Sequence, residues 1–179
     1  MTFHPETPSA GSTVTLREVT ADTLREICRL SVHETQQQFV APNAVSIAEA
    51  HFHAHAWFRA VYADAVPVGF LMLSDRPERP QYFLWRFMID ARYQHMGFGR
   101  RAIELLVEHV RARPGAAELL TSVVQAEGGP QGFYERQGFR LTGEHDDGEA
   151  VLRLPLTPGP QEGAPCAAGR PAQPPGTGA

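Results

Sequence analysis

Asp90-Ala91-Arg92-Tyr93-Gln94-His95-Met96-Gly97-Phe98-Gly99-Arg100-Arg101 is the stretch that decides how this chain is read. An apolar run, Tyr82 to Ile89, leads into it, and an amphipathic segment reaching about Arg111 leads out. Strand, turn with two glycines one residue apart, then helix is the layout of an anion cradle. Glycine lets the backbone approach a ligand closely, and the free N–H groups of the helix's first turn point at whatever sits there. The expected guest is a pyrophosphate.

Two common nucleotide folds fail against the surrounding sequence. A dinucleotide site wants its glycine turn at the first strand of the domain. Ala102 is tolerable in place of the third glycine, but here the motif follows three strands that read as antiparallel. A phosphate-binding P-loop ends in Gly-Lys-Ser/Thr. This chain has no lysine, so all sixteen of its basic residues are arginine.

Outward from the cradle, hydrophobic periodicity orders the elements. Val14–Val19 alternates as a strand, and a helix follows from about Asp22 to Ser31. Ser46-Ile47-Ala48-Glu49 has the form of a capping box, which predicts a second helix starting at Ser46. Trp57–Tyr62 and Pro67–Leu73 form a hairpin about Ala63-Asp64-Ala65, and Arg76–Pro80 is a loop. Ile103, Leu106, Val107 and Val110 share one face of the helix after the cradle. Leu119–Val124 is another strand, and Pro130 to Gly138 brackets a short helix. Phe139–Thr142 and Ala150–Leu156 close the domain as a hairpin. The expected class is α/β, a mixed sheet that is parallel where helices connect its strands.

Both ends are low in complexity. Residues 1–12 and 157–179 are expected as disordered tails around a domain spanning residues 13–156, because neither carries enough large apolar residues to offset ordering entropy. With 179 residues and 42% apolar content, the chain suits one domain with a full core. A net charge of −4 and a pI near 6.0 supply no field that recruits nucleic acid or anionic membrane. Cys28 and Cys166 make no disulfide framework, the N-terminus is no secretory signal, and no apolar run spans a bilayer. The protein is expected to be cytoplasmic.

Gln94-x-x-Gly97-x-Gly99-Arg100 resembles the acetyl-CoA signature of the GNAT superfamily of N-acetyltransferases. Phe133-Tyr134-Glu135-Arg136-Gln137-Gly138-Phe139 is similar to that superfamily's later tyrosine-bearing helix and the strand behind it. The two motifs stand in the expected order, and the likeness covers about Val14 to Leu156. It implies a GNAT-type mixed central sheet flanked by helices, with a splayed parallel strand pair forming an acetyl-CoA cleft. Leu84-Trp85-Arg86-Phe87-Met88-Ile89-Asp90 and Glu34-x-x-Gln37-x-Phe39-Val40-Ala41-Pro42-Asn43 more narrowly resemble the bacterial spermine/spermidine acetyltransferases.

The resemblance implies roles residue by residue. Backbone N–H groups of Gln94, His95, Met96, Gly97, Phe98, Gly99 and Arg100 hold the CoA pyrophosphate. Phe87, Met88 and Ile89 pair with the pantetheine amides and offer an N–H to the oxyanion. Tyr134 is the general acid for the departing thiolate, attacked directly by a neutral amine. Many members carry Asn ahead of the tyrosine helix; here Gln125 stands nearest that role, followed by Gly128 and Gly129. Glu34 is a candidate for contact with the substrate's ammonium, and Trp85 for the substrate side, although both tryptophans also read as core. The expected partners are acetyl-CoA and a small amine, with a polyamine first and an aminoglycoside, amino acid or protein N-terminus as alternatives. A CoA-binding module without turnover is a further alternative. The family implies a homodimer.

Several residues have plainer readings. His51, His53 and His55 alternate like metal ligands, but i and i+2 diverge on a helix and no further partner is near, so no metal is expected. Asp75, Asp90 and Glu49 can be structural or substrate-facing. Arg100 and Arg101 can reach phosphates or stay solvated.

Overall fold

The computed structural model describes residues 7–78 and 81–156. In chain order its elements are β1 (Val14–Arg17), α1 (Leu24–Arg29), a 3₁₀ helix (Glu34–Phe39), α2 (Asn43–Ala50), β2 (Ala56–Ala63), β3 (Val66–Arg76) and β4 (Gln81–Ile89). A second 3₁₀ turn (Ala91–Tyr93), α3 (Phe98–Arg111), β5 (Glu118–Val123), α4 (Gln131–Arg136), β6 (Arg140–Asp146) and β7 (Glu149–Pro155) complete it. One seven-stranded sheet runs β1-β2-β3-β4-β5-β7-β6. It is antiparallel except between β4 and β5, the pair joined by helix α3.

Two apolar layers follow from the alternation of the strands. On one face Leu71, Leu73, Tyr82, Leu84, Leu119 and Leu152 pack under α3, whose Phe98, Ala102, Ile103, Leu106, Val107 and Val110 are buried. Each such side chain contributes roughly 1.5–3 kcal/mol of burial relative to exposure, apart from the small alanine. On the other face Ile27, Ala60, Tyr62, Phe70, Met72 and Met88 pack under α1 and α2. At the far end of α3, Arg113 pairs with the buried Asp75 at 2.8 Å, and His109 stacks on Trp57 at 3.9 Å. Asp75 is therefore a structural carboxylate, far along the sheet from the glycine turn.

The capping-box expectation is corrected. Helix α2 starts at Asn43, behind Pro42, and Ser46 lies inside it with its hydroxyl donating back to the Pro42 carbonyl at 3.4 Å. Pro42 leaves the preceding extended chain with its own N–H removed, so the helix can begin one turn earlier than the Ser-x-x-Glu pattern suggests. Glu49 is released from capping and pairs instead with Arg86 at 3.2 Å.

Of the tail expected at residues 1–12, residues 7–12 are among those described. Ser9–Ser12 forms a turn, and Arg101 donates to the carbonyls of Ala10 and Ser12 at 3.0 and 2.8 Å. Arg101 also donates to Met96 O at 3.2 Å, so it is a strut beneath the glycine turn and neither a phosphate ligand nor a solvated charge. The tail expected at residues 157–179, with Cys166, lies outside the described residues.

Candidate active site

The site opens where the sheet comes apart. Strands β4 and β5 pair only at Phe83 with Leu120 and Leu84 with Thr121. Immediately beyond, β4 bulges: Leu84 lies opposite Leu73 and Arg86 opposite Met72, leaving Trp85 without a partner on β3. A bulge bends its strand and increases the local twist, which carries β4 away from β5. The result is a cleft of about 780 Å³ between the two strands.

Asp90 ends β4 and sets up the turn that follows. Its side chain is buried, accepting from Ser31 N–H at 3.0 Å, Arg92 N–H at 3.0 Å and the Arg92 guanidinium at 2.8 Å. Burial alone would raise this carboxyl, but the hydrogen bonds from Arg92 and Ser31 outweigh it and hold it below the usual carboxylate range. The chain then passes through left-handed conformations at His95 (φ 64°) and Gly97 (φ 81°) before α3 begins. Only glycine takes such a φ without cost, which is why Gly97 stands here. A Cβ at Gly99 would lie 3.2 Å from the Phe133 ring, so the second glycine permits the close approach of α3 to α4.

Among the described residues, no acceptor takes the backbone N–H groups from Gln94 to Arg100; the first helical bond is Arg101 N–H to Gly97 O at 3.2 Å. These donors, with the dipole of a fourteen-residue helix behind them, could hold a pyrophosphate. Residues and space fit that group. The side chains differ in what they do. His95 and Arg100 line the cleft, and Arg100 pairs with Glu104 at 3.0 Å on an exposed helix face. Gln94 lines it too, but its amide spans Ile89 O at 3.0 Å and Gln36 Oε1 at 2.8 Å. Met96 packs against the α3 core and Phe98 is buried in it, so the side chains of these two lie outside the cleft lining.

Phe87, Met88 and Ile89 form one wall, and Trp85 stands at its bulged end. Tyr134 lies opposite on α4, 6% exposed between Phe133 and Phe139. Burial pushes its phenol up to about 12; the neighbouring Glu149 carboxylate adds to this and the Thr121 hydroxyl opposes it. Tyr134 is therefore a neutral phenol that keeps its proton at ordinary pH.

Glu34 and Gln125 stand apart from this group. Glu34 is exposed at the start of its 3₁₀ helix, while Gln36, Gln37 and Gln38 of the same helix line the cleft. Gln125 is exposed and donates to Gln131 Oε1 at 3.1 Å, outside the lining. Three histidines take three separate partners: His51 sits edge-on to Phe52, His53 edge-on to Trp85, and His55 pairs with Glu78 at 3.4 Å. Ser122 and Glu149 are among the lining residues that sequence reasoning missed. They are twenty-seven positions apart and meet only because β5 pairs with β7, with Ser122 Oγ donating to Glu149 Oε2 at 2.6 Å.

Residues 17–139 match the sequence model of the Acetyltransferase (GNAT) family. The spermine/spermidine N(1)-acetyltransferase of Bacillus subtilis is 27% identical over 149 residues, covering 78% of this chain and 96% of the relative. Among solved structures, a domain from Methanocaldococcus jannaschii superposes with a TM-score of 0.66 at 12% identity, covering 81% of this chain and 99% of its own. A spermidine N-acetyltransferase from Vibrio cholerae, solved with CoA and spermine, superposes with a TM-score of 0.62 at 17% identity, covering 81% of this chain and 96% of its own. The likeness in sheet and order of elements agrees with the glycine turn, the splayed strands and the tyrosine helix, and the chain belongs to the GNAT family of N-acetyltransferases.

Proposed function

We propose that the enzyme transfers the acetyl group of acetyl-CoA to a primary amine of a small cationic substrate, a polyamine in the first place, with Tyr134 as general acid. The observation that carries the reading is Tyr134 itself: a buried phenol, held neutral, on the wall of a cleft that starts at an anion cradle. The polyamine preference is supported by the Bacillus relative, which is named for spermine and spermidine, and by the likeness of the chain's fold to the Vibrio enzyme.

The residues divide the work. N–H groups from Gln94 to Arg100 hold the pyrophosphate, and the end of β4 at Phe87–Ile89 lies along the pantetheine arm. Acetyl-CoA supplies an activated thioester: a nitrogen–carbon bond forms as the carbon–sulfur bond breaks. The electron pair left on sulfur takes the Tyr134 proton, and one of the protons lost by nitrogen restores the phenol; the other leaves to solvent. Tyr134 suits this role because burial prevents it from ionising before the sulfur departs. In this reading the reaction takes place in the cytoplasm.

Free-thiol release from acetyl-CoA, measured against spermine, spermidine, putrescine, an aminoglycoside, amino acids and peptides, tests the assignment. Turnover fastest with polyamines is the expected result. Turnover with peptides alone would overturn the polyamine preference, and acetyl-CoA binding without turnover of any amine would overturn the enzymatic reading of this site.

A further inference from the structure

Charge on the cleft wall is unevenly distributed. Arg86, Arg100 and Arg136 are the arginines among the described lining residues, and Glu149 is the one carboxylate. A half-buried carboxylate that makes no ion pair is costly to keep unless a positive group meets it. The arginines have other work or other places. Arg100 pairs with Glu104, and Arg86 donates to Glu49 at 3.2 Å and to the Trp85 carbonyl at 2.9 Å. Among the described residues no arginine pairs with Glu149.

Position on the sheet fixes which side of the cleft Glu149 serves. Along β5, Leu119, Thr121 and Val123 turn towards the α3 core, so Ser122 turns to the opposite face. Ser122 lies opposite Val151 and Val123 opposite Ala150, which puts Glu149 on the Ser122 face, one rung further towards the opening. Trp85, at the bulge, packs on that same face against the α1–α2 layer. The cradle belongs to the other face, at the start of α3. The cleft therefore has an α3 side that suits the pyrophosphate and an opposite side where Glu149 is the anionic group.

Ser122 shapes the carboxylate for an external partner. Its hydroxyl occupies Oε2, and no donor among the described residues takes Oε1. Glu149 is half-buried and lines the cleft, with one oxygen anchored and the other without a donor among the described residues.

We propose that Glu149, oriented by Ser122 on the face of the cleft opposite the cradle, receives the ammonium of the acceptor amine and selects for a cationic substrate. This rests on the proposed transfer to an amine. It differs from the sequence expectation, in which Glu34 took that contact. The carboxylate holds the ammonium nitrogen on the Ser122 face of the cleft, opposite the cradle. It accepts a hydrogen bond from the nitrogen, and that bond is stronger to an ammonium than to a neutral N–H, which favours a cationic acceptor.

Steady-state kinetics with spermidine on wild type, Glu149→Gln, Glu149→Asp and Ser122→Ala tests this, alongside calorimetric binding of CoA and of spermidine. Glutamine keeps an acceptor for Ser122 and removes only the charge. The expected result is a loss of at least about tenfold in kcat/KM for spermidine in Glu149→Gln, mostly in KM, with CoA affinity unchanged. Glu149→Asp should recover part of the loss, and Ser122→Ala should show a smaller one. Spermidine KM in Glu149→Gln within about twofold of a wild type that turns spermidine over would overturn the assignment while leaving the acetyltransferase reading intact. If Glu149→Gln also lost CoA binding, Glu149→Asp and Ser122→Ala would decide, and wild-type spermidine KM in both would overturn it. If wild type binds CoA but turns over no amine, the proposed function fails by itself, and spermidine calorimetry still decides: binding abolished by Glu149→Gln supports the assignment, and no binding to wild type overturns it.

Discussion

The Thr121 hydroxyl donates to the Leu84 carbonyl at 3.0 Å on the last rung that β4 and β5 share. Thr121 is 2% exposed, so this bond closes the parallel pairing in a dry environment, next to Tyr134. A side chain thus completes the seam at the point where the bulge at Trp85 begins to open it.

Thr121→Val should remove that bond and leave the Leu84 carbonyl unsatisfied at almost constant volume. The expected cost is about 1–3 kcal/mol. In a chain of this size that lowers the melting temperature by roughly 2–4 °C per kcal/mol. Calorimetry checks this, and an unchanged melting temperature would show that water replaces the hydroxyl.

Tyr134→Phe should cut kcat by about 10²–10⁴ and leave the acetyl-CoA KM nearly unchanged, since the ring contacts with Phe133 and Phe139 persist. In wild type, kcat should not fall through ionisation of this phenol until the pH nears its raised value of about 12.

The same phenol predicts alkaline instability. Its pKa is about 12 when folded and 10.0 when free, so the unfolded chain loses this proton first as pH rises. Stability is fully present below pH 10 and declines towards 12, by about 2–3 kcal/mol in all. Denaturant titrations of wild type against Tyr134→Phe should diverge in slope only in that window.

Asp90 acts at the opposite end of the pH scale. Its folded pKa is depressed, so its contribution is present above the ordinary carboxylate value and is lost as pH falls through the folded one. Asp90→Asn should weaken the fold at neutral pH and flatten its acid dependence below about pH 4. Acid titration of tryptophan fluorescence in the two proteins tests the difference.

Gly97→Ala and Gly99→Ala should both weaken CoA binding, by different routes. At φ 81° an alanine at position 97 costs about 1–2 kcal/mol of backbone strain. At position 99 the new Cβ pushes the Phe133 ring, which lies 3.2 Å away, so Tyr134 shifts with it. Gly97→Ala should raise KM for acetyl-CoA and spare kcat, whereas Gly99→Ala should lower both kcat and affinity. Equal kcat losses in the two variants would refute this division.

Features written in local periodicity were legible in the sequence. The Tyr82–Ile89 strand, the glycine turn and the Ile103–Val110 face all stand where the pattern puts them, and so does the tyrosine helix. The failures share a cause, which is that distant partners overrule local pattern. Ser46 and Glu49 look like a cap until Arg86, thirty-seven positions on, takes the carboxylate. Arg101 looks like a phosphate ligand until the Ala10–Ser12 carbonyls fill its guanidinium. Ser122 with Glu149 has no local signature at all, because only the β5–β7 register brings them together.

The two-rung pairing of β4 with β5 has a mechanical consequence. The sheet is in effect two panels, β1–β4 and β5–β7–β6, stitched over a short seam and held elsewhere by α3. A ligand lying between the panels would serve as the missing stitching, supplying backbone-like partners to edges that otherwise face each other across open space. Amides of β4 beyond Leu84 should then exchange hydrogen with solvent more slowly once CoA is bound, and those of β2 and β3 should hardly respond.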